Sequence, residues 1–225
     1  MDDDTPRLID GPHRAPATLL LAHGAGAPMD SPFMAAIATG LAACGWRVVR
    51  FEFPYMAKSR LSGQRRAPDP LPRLLECFRQ QALLELENES GCPIVLGGKS
   101  LGGRVASLLL DGLAAERPGR AEVLCGLCLG YPFHPPGRPE QLRTEHLHGL
   151  HTPTLILQGE RDSFGKRDEV EGYSLSRAIE LAWIPAGDHS FKPTRSSGRT
   201  EEGNRALAIA ACDQFIRQQL TRHPG

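Results

Sequence analysis

The stretch Ile94-Val95-Leu96-Gly97-Gly98-Lys99-Ser100-Leu101-Gly102-Gly103-Arg104-Val105 constrains this chain more than any other. Apolar and small residues lead into Gly98-x-Ser100-x-Gly102, and a helical pattern (Val105, Leu108, Leu109) leaves it. That predicts strand, sharp turn and helix, with a serine at the turn. Such a turn strains the backbone at the serine and lifts its hydroxyl clear of the strand end. Glycine is required at Gly98 and Gly102 because a Cβ there would strike the neighbouring strand or helix. The helix opens directly behind the serine, so its free N–H groups and positive dipole end face any oxyanion formed there. The alternative is a glycine-rich strand–helix turn that carries only a surface serine, a weaker reading for a motif set between a buried strand and a helix. What decides between the two is the rest of the chain.

At 225 residues the chain has the length of one domain with a full core, and 1–225 is read as such. Lys plus Arg and Asp plus Glu both number 26, so the basic excess of a nucleic-acid binder is missing and no such partner is expected. No apolar run reaches membrane-spanning length, and Met1-Asp2-Asp3-Asp4 is acidic where a secretory leader is basic. A cytoplasmic protein with reduced, mostly buried thiols is therefore expected. Cys125-x-x-Cys128 has a metal-like spacing, but it falls in an apolar run that reads as a strand. Strand residues three apart point to opposite faces and cannot share an ion, so no metal and no cofactor are expected.

Taken in order, Leu8-Ile9 is at best an edge strand, and Thr18–Ala22 reads as a strand covered on both faces. Ser31-Pro32 starts a helix that Gly45 stops. A strand over 46–53 is halted by Pro54, and residues 55–70 read as a long cationic loop whose length and Gly63 suit a mobile flap. An amphipathic helix runs from Leu71 to about Glu89. After the serine turn and its helix come strands at Val123–Leu129, Pro153–Leu157 and Leu181–Ile184, then a final helix from about Glu201 to Leu220. Strands alternating with helices predict an α/β fold with a mainly parallel sheet, helix-covered on both faces.

The chemistry-bearing residues fall just past the carboxyl ends of these strands, where ligand sites form in open α/β sheets. A serine hydroxyl is a poor nucleophile until an imidazole takes its proton, and a buried carboxylate fixes and stabilises that imidazole. Ser100, then Asp162, then His189 supply nucleophile, acid and base in that chain order. Asp168 and Asp188 are rival acids, further from the strand end and adjacent to the histidine respectively. His23 also follows a strand, but in His23-Gly24-Ala25-Gly26 it is better suited to propping a loop that presents backbone N–H groups. The oxyanion hole is therefore assigned to the N–H groups of Leu101 and Ala25, with Gly24 as the alternative to Ala25.

These pieces resemble an α/β-hydrolase, and within that fold its small, dienelactone-hydrolase-like members. The narrower likeness is to a group that includes a testis-expressed hydrolase-like protein and a subunit of a histone-acetylating complex. Leu21–Gly26, Phe51-Glu52-Phe53-Pro54-Tyr55, Gly97–Arg104, Gly159-Glu160-Arg161-Asp162 and Gly130-Tyr131-Pro132-Phe133-His134-Pro135-Pro136-Gly137 carry it, over roughly residues 18–192. The resemblance implies a hydrolase fold, while several such relatives lack an established substrate and some act as scaffolds. Dienelactone hydrolases proper use cysteine as nucleophile; serine stands here, so that activity is not carried over.

The resulting expectation is a lid-free serine hydrolase that cleaves an ester or related acyl bond of a small molecule through an acyl-serine. The alternative is a non-catalytic interaction module on the same fold. The connection from Gly130 to Pro153 is too short for a helical lid, and Tyr55, Tyr131 and Phe133 are expected to wall a shallow pocket. His146, His148 and His151 read as solvated linker rather than metal ligands. Activity is expected to rise with pH through one step near or above 6.5.

Overall fold

The computed structural model describes residues 5–88, 91–116 and 123–222. The acidic Met1–Asp4 start and Glu89, where the sequence placed the end of a helix, lie outside the described residues. Among the described residues, seven strands form one sheet: β1 (Arg7–Asp10), β2 (Thr18–Ala22), β3 (Arg47–Phe51), β4 (Ile94–Lys99), β5 (Val123–Leu129), β6 (Thr154–Gly159) and β7 (Ile179–Ile184). Their order is β1-β3-β2-β4-β5-β6-β7, parallel throughout except for β1 against β3. The helices that accompany them are α1 (Pro32–Ala43), α2 (Pro54–Ser62), α3 (Leu71–Leu86), α4 (Leu101–Glu116), the single-turn α5 (Arg167–Val170) and α6 (Glu201–Arg222).

The sheet divides two cores, as the alternation of a pleated strand requires. Ile94 and Leu96 of β4 pack with Phe78 of α3 and Val105 and Leu110 of α4 on one face. Val95 packs with Ile37 and Leu41 of α1 and Cys212 and Phe215 of α6 on the other. Cys128 and Cys125 likewise fall in opposite cores, which separates them across the sheet. Among the described residues no cluster of potential ligands could hold a metal ion. No helix there is long and apolar enough to cross a membrane.

The loop expected over 55–70 begins instead as helix α2, with Pro54 at its first position and Gly63, at φ +68°, ending it. This helix buries only Tyr55, so no apolar stripe announced it. It is tied down by charge: Arg60 pairs with the buried Glu52 at 2.5 Å and with Asp30 at 2.8 Å. The connection from β5 to β6 holds one 3₁₀ turn and no inserted domain, so the carboxyl end of the sheet is lid-free.

Candidate active site

Helices α1 and α4 leave β2 and β4 toward opposite faces, opening a crevice at the carboxyl ends of these neighbouring strands. Ser100 stands at that switch point, with φ +51°, a left-handed value that few non-glycine residues adopt. The tightness of the turn accounts for its glycines. A Cβ on Gly98 would sit 2.5 Å from the Ala22 carbonyl oxygen, and one on Gly102 would sit 2.3 Å from the same atom. Both distances are far inside van der Waals contact, so β2, β4 and α4 close on each other only without side chains. Leu101 opens α4, which leaves its N–H without an intrahelical partner beside the serine.

Three strand ends meet at the serine. His189 Nε2 lies 2.8 Å from Ser100 Oγ, and His189 Nδ1 donates to Asp162 Oδ2 at 2.8 Å. A carboxylate only accepts, so this bond places the imidazole proton on Nδ1 and leaves Nε2 free to accept from the hydroxyl. Asp162 has no exposed surface. Its Oδ2 also accepts from Gln158 Nε2 at 2.9 Å, and its Oδ1 accepts from the Phe164 N–H at 2.9 Å. The rivals lie elsewhere. Asp168 is exposed on α5, and Asp188 Oδ1 accepts from the N–H groups of Ser190 and Lys192 within its own loop.

The histidine loop is strained and braced. Ala186 and Phe191 both have positive φ, and the buried Asn204 of α6 donates to the carbonyls of Phe191 and Pro185 at 2.8 and 3.0 Å. The Phe164 ring stacks on the His189 ring at 4.2 Å. Burial holds the His189 imidazole below its ordinary value. The bond to Asp162 opposes that shift, the positive charge of Lys99 adds to it, and the charges of Asp162 and Asp188 oppose it. The titration step thus lies below 6.5 rather than near or above it, because the ring loses more hydration than the sequence could show.

His23 has the propping role expected of it. Its Nε2 accepts from the Phe53 N–H at 3.0 Å, so Nδ1 carries the proton and donates to the Gly24 carbonyl at 2.7 Å. The bond accepted at Nε2 requires a neutral ring, and burial lowers its pKa. The loop it holds runs beside the serine: a Cβ on Gly24 would lie 3.7 Å from Ser100 Cβ.

A cavity of about 330 Å³ adjoins the serine, walled by Gly24–Ala27, Ser31–Met34, Lys99, Phe164 and His189–Ser190. Tyr55, Tyr131 and Phe133, expected to line it, do not. All three are buried in the core, at 2, 0 and 0 % exposure. The Tyr55 hydroxyl donates toward the carbonyls of Gly24 and Ala25, and that of Tyr131 donates to the Arg143 carbonyl at 2.9 Å. Phe133 packs against Tyr173 and beneath Gly165. The chain turns down into the core after Gly130 instead of running along the cleft, so Phe33 and Phe164 supply the aromatic walls. His146 is half-buried rather than part of a solvated linker: it hydrogen-bonds Ser107 at 2.8 Å, and burial pushes its pKa down to about 4.

The sequence did not point to Gln158, Phe164, Phe33 or Lys99. Only their places, at or two residues from a strand end or motif, hinted at contact with the site.

Residues 15–217 match the model of an alpha/beta hydrolase domain family. Solved structures share the fold. An alpha-beta serine hydrolase homologue from Coxiella burnetii is 16% identical, with a TM-score of 0.66 over 97% of this chain and 98% of that one. A lid-free a/b serine hydrolase from Xanthomonas campestris is 18% identical, with a TM-score of 0.65 over 98% and 95%. The dienelactone hydrolase of Anabaena variabilis is 21% identical, with a TM-score of 0.65 over 96% and 91%. With the family model spanning nearly all of the sheet and both helical layers, the chain belongs to the alpha/beta hydrolase domain family.

Proposed function

We propose that this protein is a serine hydrolase that cleaves an ester or related acyl bond of a small molecule through an acyl-serine intermediate. The observation that carries the reading is the hydrogen-bonded line Asp162–His189–Ser100, with both links at 2.8 Å, at the wall of a cavity. In this reading Ser100 Oγ attacks the substrate carbonyl carbon while its proton passes to His189 Nε2. Asp162, buried and held by Gln158 and Phe164, stabilises the imidazolium that forms. Negative charge gathers on the carbonyl oxygen, where the N–H groups of Leu101 and Ala25 receive it. The tetrahedral adduct expels the alcohol, which takes the proton from Nε2. Water then attacks the acyl-serine with His189 as base, and the acid leaves with Ser100 restored.

The test is covalent labelling by an alkyl fluorophosphonate. Wild type is expected to label at Ser100, and Ser100→Ala is expected to fold but not label, with ester turnover lower by about 10⁴-fold or more. A folded wild-type protein that neither labels nor hydrolyses short p-nitrophenyl esters would turn the reading toward a non-catalytic interaction module on this fold.

A further inference from the structure

The reaction above gives Lys99 nothing to do, yet few residues are placed more expensively. It immediately precedes Ser100, is 8 % exposed, and lies in the cavity wall. A buried ammonium costs several kcal/mol unless it is paired, and a methionine would fill the same space without that cost. The ammonium donates to the backbone carbonyl of His189 and lies 5.4 Å from the centre of the Phe33 ring. A Cβ on Gly130 would fall 2.8 Å from Nζ, and one on Gly24 would fall 3.5 Å from Cγ. One side chain therefore touches the loops that leave β2, β5 and β7.

Among the described residues, the charges around it are few. Asp162 faces it from the turn after β6, and Asp188 from the histidine loop. Arg161 bonds the carbonyls of Ala186 and Lys192 at the base of that loop. Helix α1 brings only the Phe33 ring, because it carries no ionisable residue.

We propose that Lys99 is a positioning residue, pinning the histidine loop to the serine turn through the His189 carbonyl and opposing protonation of the His189 ring by its own positive charge. This rests on His189 acting as the base. The bond fixes where the imidazole hangs, and the charge keeps Nε2 available as an acceptor under mildly acidic conditions. The Lys99 charge acts on His189 in the direction of its lowered pKa, second to burial among the lowering causes. Burial brings Lys99 itself down to about 8, against the pull of Asp162 and Asp188, so it carries its charge at neutral pH.

The test uses Lys99→Met, which removes donor and charge, and Lys99→Gln, which keeps a donor without charge. The His189 ring is titrated by NMR, which needs no turnover, and p-nitrophenyl acetate hydrolysis is followed across pH. In both variants the His189 midpoint is expected to move to higher pH, and the acid limb of the rate profile with it. At pH 7, above the His189 step and with Lys99 charged, kcat is expected to fall by about tenfold in Lys99→Met and less in Lys99→Gln, since the donor is lost outright only in the first. A His189 midpoint that stays at the wild-type pH in both variants overturns the proposal, even if kcat falls, because a purely structural lysine would do that. If Lys99→Met does not fold, the His189 midpoint in Lys99→Gln decides the matter by itself. A wild type that does not label with the fluorophosphonate, but whose His189 midpoint moves in the variants, sinks the hydrolase reading and leaves the placement of Lys99 intact.

Discussion

Replacing Asp162 by Asn tests the proposed site at its most constrained atom. The carboxylate accepts three bonds: His189 Nδ1–H and Gln158 Nε2–H on Oδ2, and the Phe164 N–H on Oδ1. An asparagine has one acceptor oxygen and one donor nitrogen, so one position must become repulsive. With nitrogen at the Oδ2 place, His189 has to move its proton to Nε2 to accept from the amide. Nε2 then donates toward Ser100 and cannot take the hydroxyl proton. With nitrogen at the Oδ1 place, the Phe164 N–H is stranded, but the productive tautomer survives without a charge to stabilise the imidazolium. The first arrangement also sets the new amide nitrogen against the Gln158 Nε2 donor, so the choice is between two poor states. An unsatisfied buried group costs about 1–3 kcal/mol, which sets the expected loss of stability. The expected loss of turnover is about 10³–10⁴-fold, the size seen when a serine-protease aspartate is changed this way. Stopped-flow acylation by p-nitrophenyl acetate reads the chemical step directly, with denaturant unfolding run alongside. Asp168→Asn, on an exposed single-turn helix, is expected to leave acylation near wild type. Asp188→Asn keeps an oxygen for the Ser190 and Lys192 N–H groups and is expected to cost less than tenfold. Acylation by Asp162→Asn within tenfold of wild type, or a larger loss at either of the other two, would refute the assignment of the acid.

With chemistry rate-limiting, kcat/KM should rise with pH through a step below 6.5, because burial holds the His189 imidazole down; a step at or above 6.5 contradicts this. The cavity of about 330 Å³ and the absence of an inserted domain favour short acyl groups, so kcat/KM should peak at about two to four carbons; a steady rise beyond ten carbons in a p-nitrophenyl ester series would demand a tunnel.

The sheet and its switch point were legible because β2, β4, β5 and β6 are buried on both faces and read as continuous apolar runs. The serine turn was legible because two glycines there stand in for impossible side chains. Ser100 and Asp162 could be picked out because each closely follows such a run, and His189 because it follows the partly buried β7 a few residues on. Helix α2 could not be read, since Arg60 and Glu52 hold it by charge rather than by an apolar stripe. Lys99 and Gln158 escaped for a different reason: within a strand the sequence marks which face a residue takes, not whether a polar head there has a partner. Tyr131 and Phe133 were misplaced because aromatic residues beside prolines past a strand end look the same whether the chain follows the cleft or dives beneath it.

That dive is what makes the acid's geometry possible. Gln158 ends buried on β6 with four hydrogen bonds, and two of them go to Tyr131, whose N–H donates to Oε1 at 2.7 Å and whose carbonyl accepts from Nε2 at 3.2 Å. The same Nε2 reaches Asp162 at 2.9 Å and the Gly165 carbonyl at 3.2 Å. An amide with both ends engaged cannot rotate without losing bonds in a dry interior, so Asp162 meets a donor whose direction Tyr131 has set. Phe133 lies under the next part of the turn: a Cβ on Gly165 would come within 2.7 Å of its ring. The Tyr131-Pro132-Phe133 segment thus forms the floor on which the Asp162 turn rests. In the proposed mechanism its aromatic side chains would act on substrate through the position of the Asp162 carboxylate and, beyond it, the His189 imidazole. For that reason, changes at Tyr131 or Phe133 should alter kcat through the acid and leave the preference for acyl length to Phe33 and Phe164, which face the cavity.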